Sequence, residues 1–112
     1  MKNIVAFIKP FKLDEVKQSL AAIGLVGMSV SEVRGCGRQR GHSEIYRGAE
    51  YQLDFMPKIR IELAVGDGQL DEAVETIMQS AATGEVGDGK IFVSELVEAI
   101  RIRTGETGEN AL

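Results

Sequence analysis

Leu13-Asp14-Glu15-Val16 recurs as Leu70-Asp71-Glu72-Ala73, and Val30-Ser31-Glu32-Val33 recurs as Val93-Ser94-Glu95-Leu96. The offsets are 70 − 13 = 57 and 93 − 30 = 63 residues. Each unit therefore pairs a helix start, acidic in its first turn, with a strand further on. The second unit carries six more residues than the first between those landmarks (63 − 57), and the spacing places them in a loop at residues 83–90.

Around the repeat the periodicity is clear. Ile4-Val5-Ala6-Phe7-Ile8 reads as a strand buried on both faces, stopped by Pro10. Leu13, Val16, Leu20 and Ile23 recur at helical spacing, with Gly24 as the stop signal. Residues 28–33 predict a second strand, ending at Gly35-Cys36-Gly37. Ile59-Arg60-Ile61-Glu62-Leu63-Ala64-Val65 alternates as a half-buried strand must. Leu70, Ala73, Val74, Ile77 and Ala81 make the apolar stripe of a second helix. Residues 91–93 predict a fourth strand, and Ile100-Arg101-Ile102-Arg103 a short edge strand. The order is β-α-β-β-α-β, an α+β, ferredoxin-like arrangement in a single domain of residues 1–112.

Composition narrows the function. The net charge is −4, aromatics are 5% and Trp is absent, which argues against a nucleic-acid or membrane-surface binder. The N-terminal apolar run is too short for a signal peptide or a membrane span, and the lone Cys36 excludes a disulfide framework, so a cytoplasmic protein is expected. The cations are unevenly placed. Arg34, Arg38, Arg40, Arg47, Lys58 and Arg60 lie in or beside one long loop, Lys90, Arg101 and Arg103 lie near the C-terminus, and residues 61–89 hold no Lys or Arg. Such clustering in an acidic chain suits an anion site.

Two loops stand out. Thr83-Gly84-Glu85-Val86-Gly87-Asp88-Gly89-Lys90 supplies glycines that can turn backbone N–H groups toward an anion and a lysine to neutralise it. It is not the Walker arrangement, because Lys90 opens a strand rather than a helix. Residues 37–57 form a 21-residue stretch (57 − 37 + 1) without usable periodicity, carrying Tyr46-Arg47-Gly48-Ala49-Glu50-Tyr51. A loop of that length in a compact domain is usually functional. Each feature has a plainer reading when taken alone: Lys90 as a solvated strand end, Arg101 and Arg103 as edge charges, Gln39 and His42 as loop polar residues, Asp88 as a turn former. Cys36 between two glycines reads as packing rather than redox chemistry.

Together these motifs resemble the PII signal-transduction family along nearly the whole chain. The resemblance rests on Lys9-Pro10-Phe11-Lys12-Leu13, Gly37-Arg38-Gln39-Arg40-Gly41-His42, Tyr46-Arg47-Gly48-Ala49-Glu50-Tyr51, residues 83–93 and Ile100-Arg101-Ile102-Arg103-Thr104-Gly105-Glu106. It implies a homotrimer that binds ATP or ADP in clefts between subunits and, with ATP and magnesium, 2-oxoglutarate. Residues 37–57 become the T-loop, 82–90 the phosphate loop and 101–112 a C-terminal loop. The implied nucleotide residues are Phe7, Ser29, Gly35, Gly37, Arg38, Gln39, Glu62, Ala64, Thr83, Gly84, Gly87, Asp88, Gly89, Lys90, Arg101 and Arg103. Gln39 would ligate magnesium, and Gln39, Arg40, Gly41 and Lys58 would hold 2-oxoglutarate.

Tyr51 would be the uridylylated residue and Arg47 a partner contact. The implied partners are a uridylyltransferase, the glutamine synthetase adenylyltransferase, a nitrogen sensor kinase or an ammonium channel, the last of which would bring the protein to the membrane. Many members carry basic residues where this chain has Ala82 and Glu85, and lysine where it has Arg40. The weighed alternatives are a PII-like adenine-nucleotide sensor without a 2-oxoglutarate response and a His42 phosphotransferase. The second is disfavoured by the placement of His42 in a long loop.

Overall fold

The structure, a computed structural model, describes residues 1–36 and 55–112. Four strands and two helices follow in the order β1 (Lys2–Ile8), α1 (Leu13–Ala22), β2 (Ser29–Gly35), β3 (Met56–Val65), α2 (Leu70–Ala81) and β4 (Lys90–Glu95). The strands form one antiparallel sheet ordered β2-β3-β1-β4. Each helix thus bridges two strands that are not hydrogen-bonded to one another, the topology expected of a split β-α-β unit repeated twice.

The core lies between the helices and one face of the sheet. Ile4, Ala6 and Ile8 of β1 and Ile59, Ile61, Leu63 and Val65 of β3 are buried against Val16, Leu20, Ala73 and Ile77. Register explains the match. Ile4 pairs with Leu63, Ala6 with Ile61 and Ile8 with Ile59, so all six side chains share a face.

The opposite face of β1 is only half-covered, which corrects the expectation of a strand buried on both sides: Asn3, Val5 and Phe7 alternate with the buried set. This open face also carries Arg60, Glu62 and Ala64 of β3, Lys90, Phe92 and Ser94 of β4, and Ser29, Ser31 and Val33 of β2. Phe7 and Phe92 meet on it edge to face, with ring centroids 6.1 Å apart.

Three further expectations change. Residues 101–104 form a turn, not an edge strand, and only Ile100 makes an isolated bridge, to Thr107. Gly105, at φ 75°, donates its N–H to the Arg101 carbonyl, and Glu106 pairs with the Arg101 guanidinium; these bonds close a turn where alternation alone suggested extension. Met56 and Pro57 belong to β3 rather than to the long loop. Pro57 is tolerated because β3 meets β1 only from Ile59 onward, so no ladder partner on that side needs its missing N–H. Finally, the six extra residues of the second unit are shared out. α2 has 12 residues against 10 in α1. The following connection is 82–89 against 23–28, two residues longer, and β4 starts two residues earlier relative to the repeated Val-Ser-Glu.

Among the described residues no helix is long and apolar enough to cross a membrane.

Candidate functional site

Residues 82–89 run from the end of α2 to the start of β4, directly over the end of β1. Three glycines in it, Gly84, Gly87 and Gly89, have positive φ. At Gly89 (φ 111°) the demand is absolute, because a Cβ there would sit 1.7 Å from the Phe7 carbonyl oxygen. The loop is closed from within by Asp88. Its carboxylate accepts the backbone N–H of Thr83 at 2.8 Å and of Gly84 at 2.9 Å, and the Thr83 hydroxyl as well. The Glu85 N–H in turn donates to the Thr83 hydroxyl at 3.2 Å.

The side chains of Thr83 and Asp88 are therefore spent on the shape of the loop, and the amides of Thr83, Gly84 and Glu85 are already taken. Among the described residues, the N–H groups of Val86, Gly87, Asp88 and Gly89 find no acceptor. These are the amides left to face an anion. The hydrogen bonds from Thr83, hydroxyl first, hold the Asp88 carboxyl well below its ordinary value of 3.8.

Three lysines surround the loop. Lys90 follows it as the first residue of β4. Lys58, on β3, donates to the Gly87 carbonyl oxygen at 2.6 Å. Lys9, just past β1, donates to the Thr83 hydroxyl at 3.1 Å and lies 3.3 Å from the Asp88 carboxylate. Lys9 was absent from the sequence-derived site. The sequence signals it only as the first residue of the motif Lys9-Pro10-Phe11-Lys12-Leu13, at the end of the strand over which residues 82–89 fold.

Beside the loop opens a cleft of about 430 Å³ lined by Phe7, Gly35, Cys36, Met56, Lys58, Val86, Gly87, Gly89, Lys90 and Phe92. That volume lies within the range of about 300–1,000 Å³ usual for small-molecule sites. Two aromatic residues, Phe7 and Phe92, and two lysines, Lys58 and Lys90, thus line the same cleft.

The structure gathers Phe7, Gly35, Lys58, Gly87, Gly89 and Lys90 at this end of the sheet. It places Ser29, Glu62 and Ala64 further along the same open face, where Glu62 is cross-strand from both Ser29 and Val5. Glu62 accepts from Asn3 at 2.8 Å and from Arg60 at 3.0 Å, and these bonds, Asn3 first, hold its carboxyl below the usual range. Arg101 and Arg103 do not line the cleft. Their segment leaves β4 after Glu95, about 17 Å along the strand from Lys90. It returns with the Glu109 carboxylate against Gly66, at the end of β3. Arg101 is paired with Glu106 at 2.8 Å, and Arg103 is exposed. Gly37, Arg38, Gln39, Arg40, Gly41, His42, Arg47 and Tyr51 lie outside the described residues.

Comparison with known proteins identifies the family. Residues 1–106 match the family described as nitrogen regulatory protein P-II. The nitrogen regulatory protein P-II of Rhodospirillum rubrum is 60% identical to the chain, and that of Pasteurella multocida 58%, each over 112 residues and the full length of both chains. Nitrogen regulatory protein GlnK of Escherichia coli is 54% identical over the same span. The chain belongs to the nitrogen regulatory protein P-II family, a family named for regulation rather than for catalysis.

Two outcomes follow from the loop geometry. Gly24 also has positive φ (87°) but open space around it, so Gly24→Ala should cost only the backbone term, about 1–2 kcal/mol. Gly89→Ala adds a collision with β1 and should lower the denaturation midpoint further; equal losses would contradict the close approach. The Asp88 latch should also be acid-resistant. Because the folded carboxyl titrates below 3.8, its contribution is full above that pH and fades only as pH falls further. Amide shifts of Thr83 and Gly84 should therefore hold steady from neutral pH to 3.8. A transition above that value would contradict the latch, and Asp88→Ala, which removes the accepting oxygen, should lose the protection of both amides at neutral pH.

Proposed function

We propose that this P-II family chain is a nitrogen-status signalling protein that binds ATP or ADP at the cleft beside residues 82–89 and acts on partners through residues 37–57. One observation carries the reading: a glycine loop, locked by Asp88, whose unpaired amides share a cleft with Lys58, Lys90, Phe7 and Phe92. Such a site suits a polyanion attached to a flat, apolar base. The amides of Val86, Gly87 and Gly89 would receive phosphate oxygens, with Lys90 supplying charge. Phe7 and Phe92 would exclude water beneath the base.

The remaining cations favour assembly. Lys90 and the segment bearing Arg101 and Arg103 belong to opposite ends of the sheet, so a triphosphate held by both sets needs two copies of the chain. The open sheet face and the exposed Val97, Ile100 and Ile102 give a neighbouring copy apolar surface to cover. A ring of three copies, each lending its C-terminal arginines and its Ser29, Glu62 and Ala64 to the next cleft, satisfies both demands. The ionised Glu62 would then accept hydrogen bonds from the nucleoside. Arg38, on the long loop, would add to the phosphate end.

The second ligand on this reading is 2-oxoglutarate. Lys58 already points its ammonium into the cleft at the Gly87 carbonyl, and a ketoacid carboxylate offers it a charged partner instead. Gln39, Arg40 and Gly41 would complete that site, with magnesium held by Gln39 and the phosphates and supplying charge between the two ligands. Occupancy at the base of residues 37–57 would change the loop that presents Arg47 and Tyr51. The partners expected are a uridylyltransferase acting on Tyr51, the glutamine synthetase adenylyltransferase, a sensor kinase or an ammonium channel.

Calorimetry tests the assignment. Lys90→Ala should weaken ATP about tenfold or more while leaving adenosine nearly unchanged, because only the phosphates lose a charge-assisted contact. Unchanged ATP affinity would refute the cleft. 2-Oxoglutarate should bind only with ATP and magnesium present, and should tighten ATP by the same factor that ATP tightens it. Gln39→Ala should abolish this second event. ATP binding with no 2-oxoglutarate response in the wild type would instead assign the chain as an adenine-nucleotide sensor.

A further inference from the structure

The loop that is to receive phosphates has a carboxylate built into its wall. Asp88 closes residues 83–88 by accepting two amides and a hydroxyl, and its negative charge then sits one residue from Gly87 and Gly89. An uncompensated carboxylate there would repel the ligand the loop exists to hold.

Lys9 answers that charge. Its side chain is largely covered, only 19% exposed, and its ammonium lies 3.3 Å from the Asp88 carboxylate. It also donates to the Thr83 hydroxyl at 3.1 Å, so it touches both ends of the latch. Its Cε would stand 3.7 Å from a Cβ at Gly87, on the rim of the cleft. Lys9 does not line that cleft, and Lys58 and Lys90 do. The three lysines thus divide the work: two face the ligand, and one faces the loop's own anion.

We propose that Lys9 is a positioning residue for nucleotide binding: by pairing with Asp88 and Thr83 it fixes the phosphate loop and cancels the Asp88 charge that closes it. The inference rests on the nucleotide reading above and adds to it a residue that acts through the loop without touching the ligand. Charge compensation has a signature that loop-holding alone lacks, because the penalty for losing it grows with the charge of the ligand.

The test is calorimetric titration of Lys9→Met and Lys9→Arg with ATP, ADP, AMP and adenosine. Lys9→Met should weaken ATP about tenfold, ADP less, AMP less again and adenosine hardly at all. Lys9→Arg should bind ATP nearly as the wild type does, and Asp88→Asn placed on Lys9→Met should recover part of the loss by removing the repelling charge. Equal losses for all four ligands, or none, would overturn the role. Amide exchange of Thr83 and Gly84 separates this proposal from the one beneath it. Both amides should exchange faster in Lys9→Met than in the wild type with no nucleotide present. If the wild type binds no nucleotide, the functional reading falls, and unchanged exchange in Lys9→Met overturns the positioning role as well.

Discussion

The carbonyl oxygen of Phe7 lies where a side chain of residue 89 would begin, and most of the site depends on that contact. It forces glycine at 89, pins the loop from α2 onto the end of β1, and delivers Lys90 to the start of β4 opposite Phe7. The sheet order makes the contact reachable. β1 is central, with β3 on one side and β4 on the other, so one strand end collects Lys58 from one neighbour and Lys90 from the other. Burial of Ile4, Ala6 and Ile8 on the helix side holds that strand in register. A slip of one residue would turn Phe7 into the core and Ile8 onto the cleft.

The electrostatics of the loop are better understood as arrangement than as stability. Exposed ion pairs contribute about 0–1 kcal/mol to folding, because Coulomb attraction in water is offset by side-chain ordering. The Lys9 and Asp88 pair is more covered than that, yet its main effect is to hold the loop rather than to stabilise the fold. The amides held by Asp88 matter more, since they set which N–H groups remain open. An acidic residue within the proposed anion site thus has a reason: it orders the first half of the loop and leaves the amides of the second half without an acceptor.

Much of this could be read in the sequence. The period of 2 in residues 59–65 and the helical stripes of residues 13–23 and 70–81 gave the right elements, because those segments bury one face in the single chain. The errors have a common cause. Residues 4–8 read as buried on both sides because Val5 and Phe7 are apolar, yet in the single chain they look onto an open face. Ile100 and Ile102 alternate with arginines as a strand would, yet Gly105 and Glu106 close a turn there. In each case the apolar pattern is not explained by contacts within one chain. Lys9 was missed for a different reason: a lysine before a proline carries no periodic signal, and its importance comes from where β1 ends in space. Residues 37–54, which would carry three of the four proposed 2-oxoglutarate residues, take their ligand roles only from motif resemblance.

Cations are divided between two ends of the sheet, and that division would make the proposed nucleotide site a property of neighbouring copies. Mixing two defective variants measures it directly. Lys90→Ala and Arg103→Ala would each bind ATP weakly alone, as each spoils every site. After they are unfolded together and reassembled, roughly a quarter of the sites in a cyclic oligomer should pair an intact Lys90 with an intact Arg103 from the next copy. The account predicts that this fraction recovers wild-type ATP affinity. A mixture that binds no better than its two parents would contradict a site shared between chains.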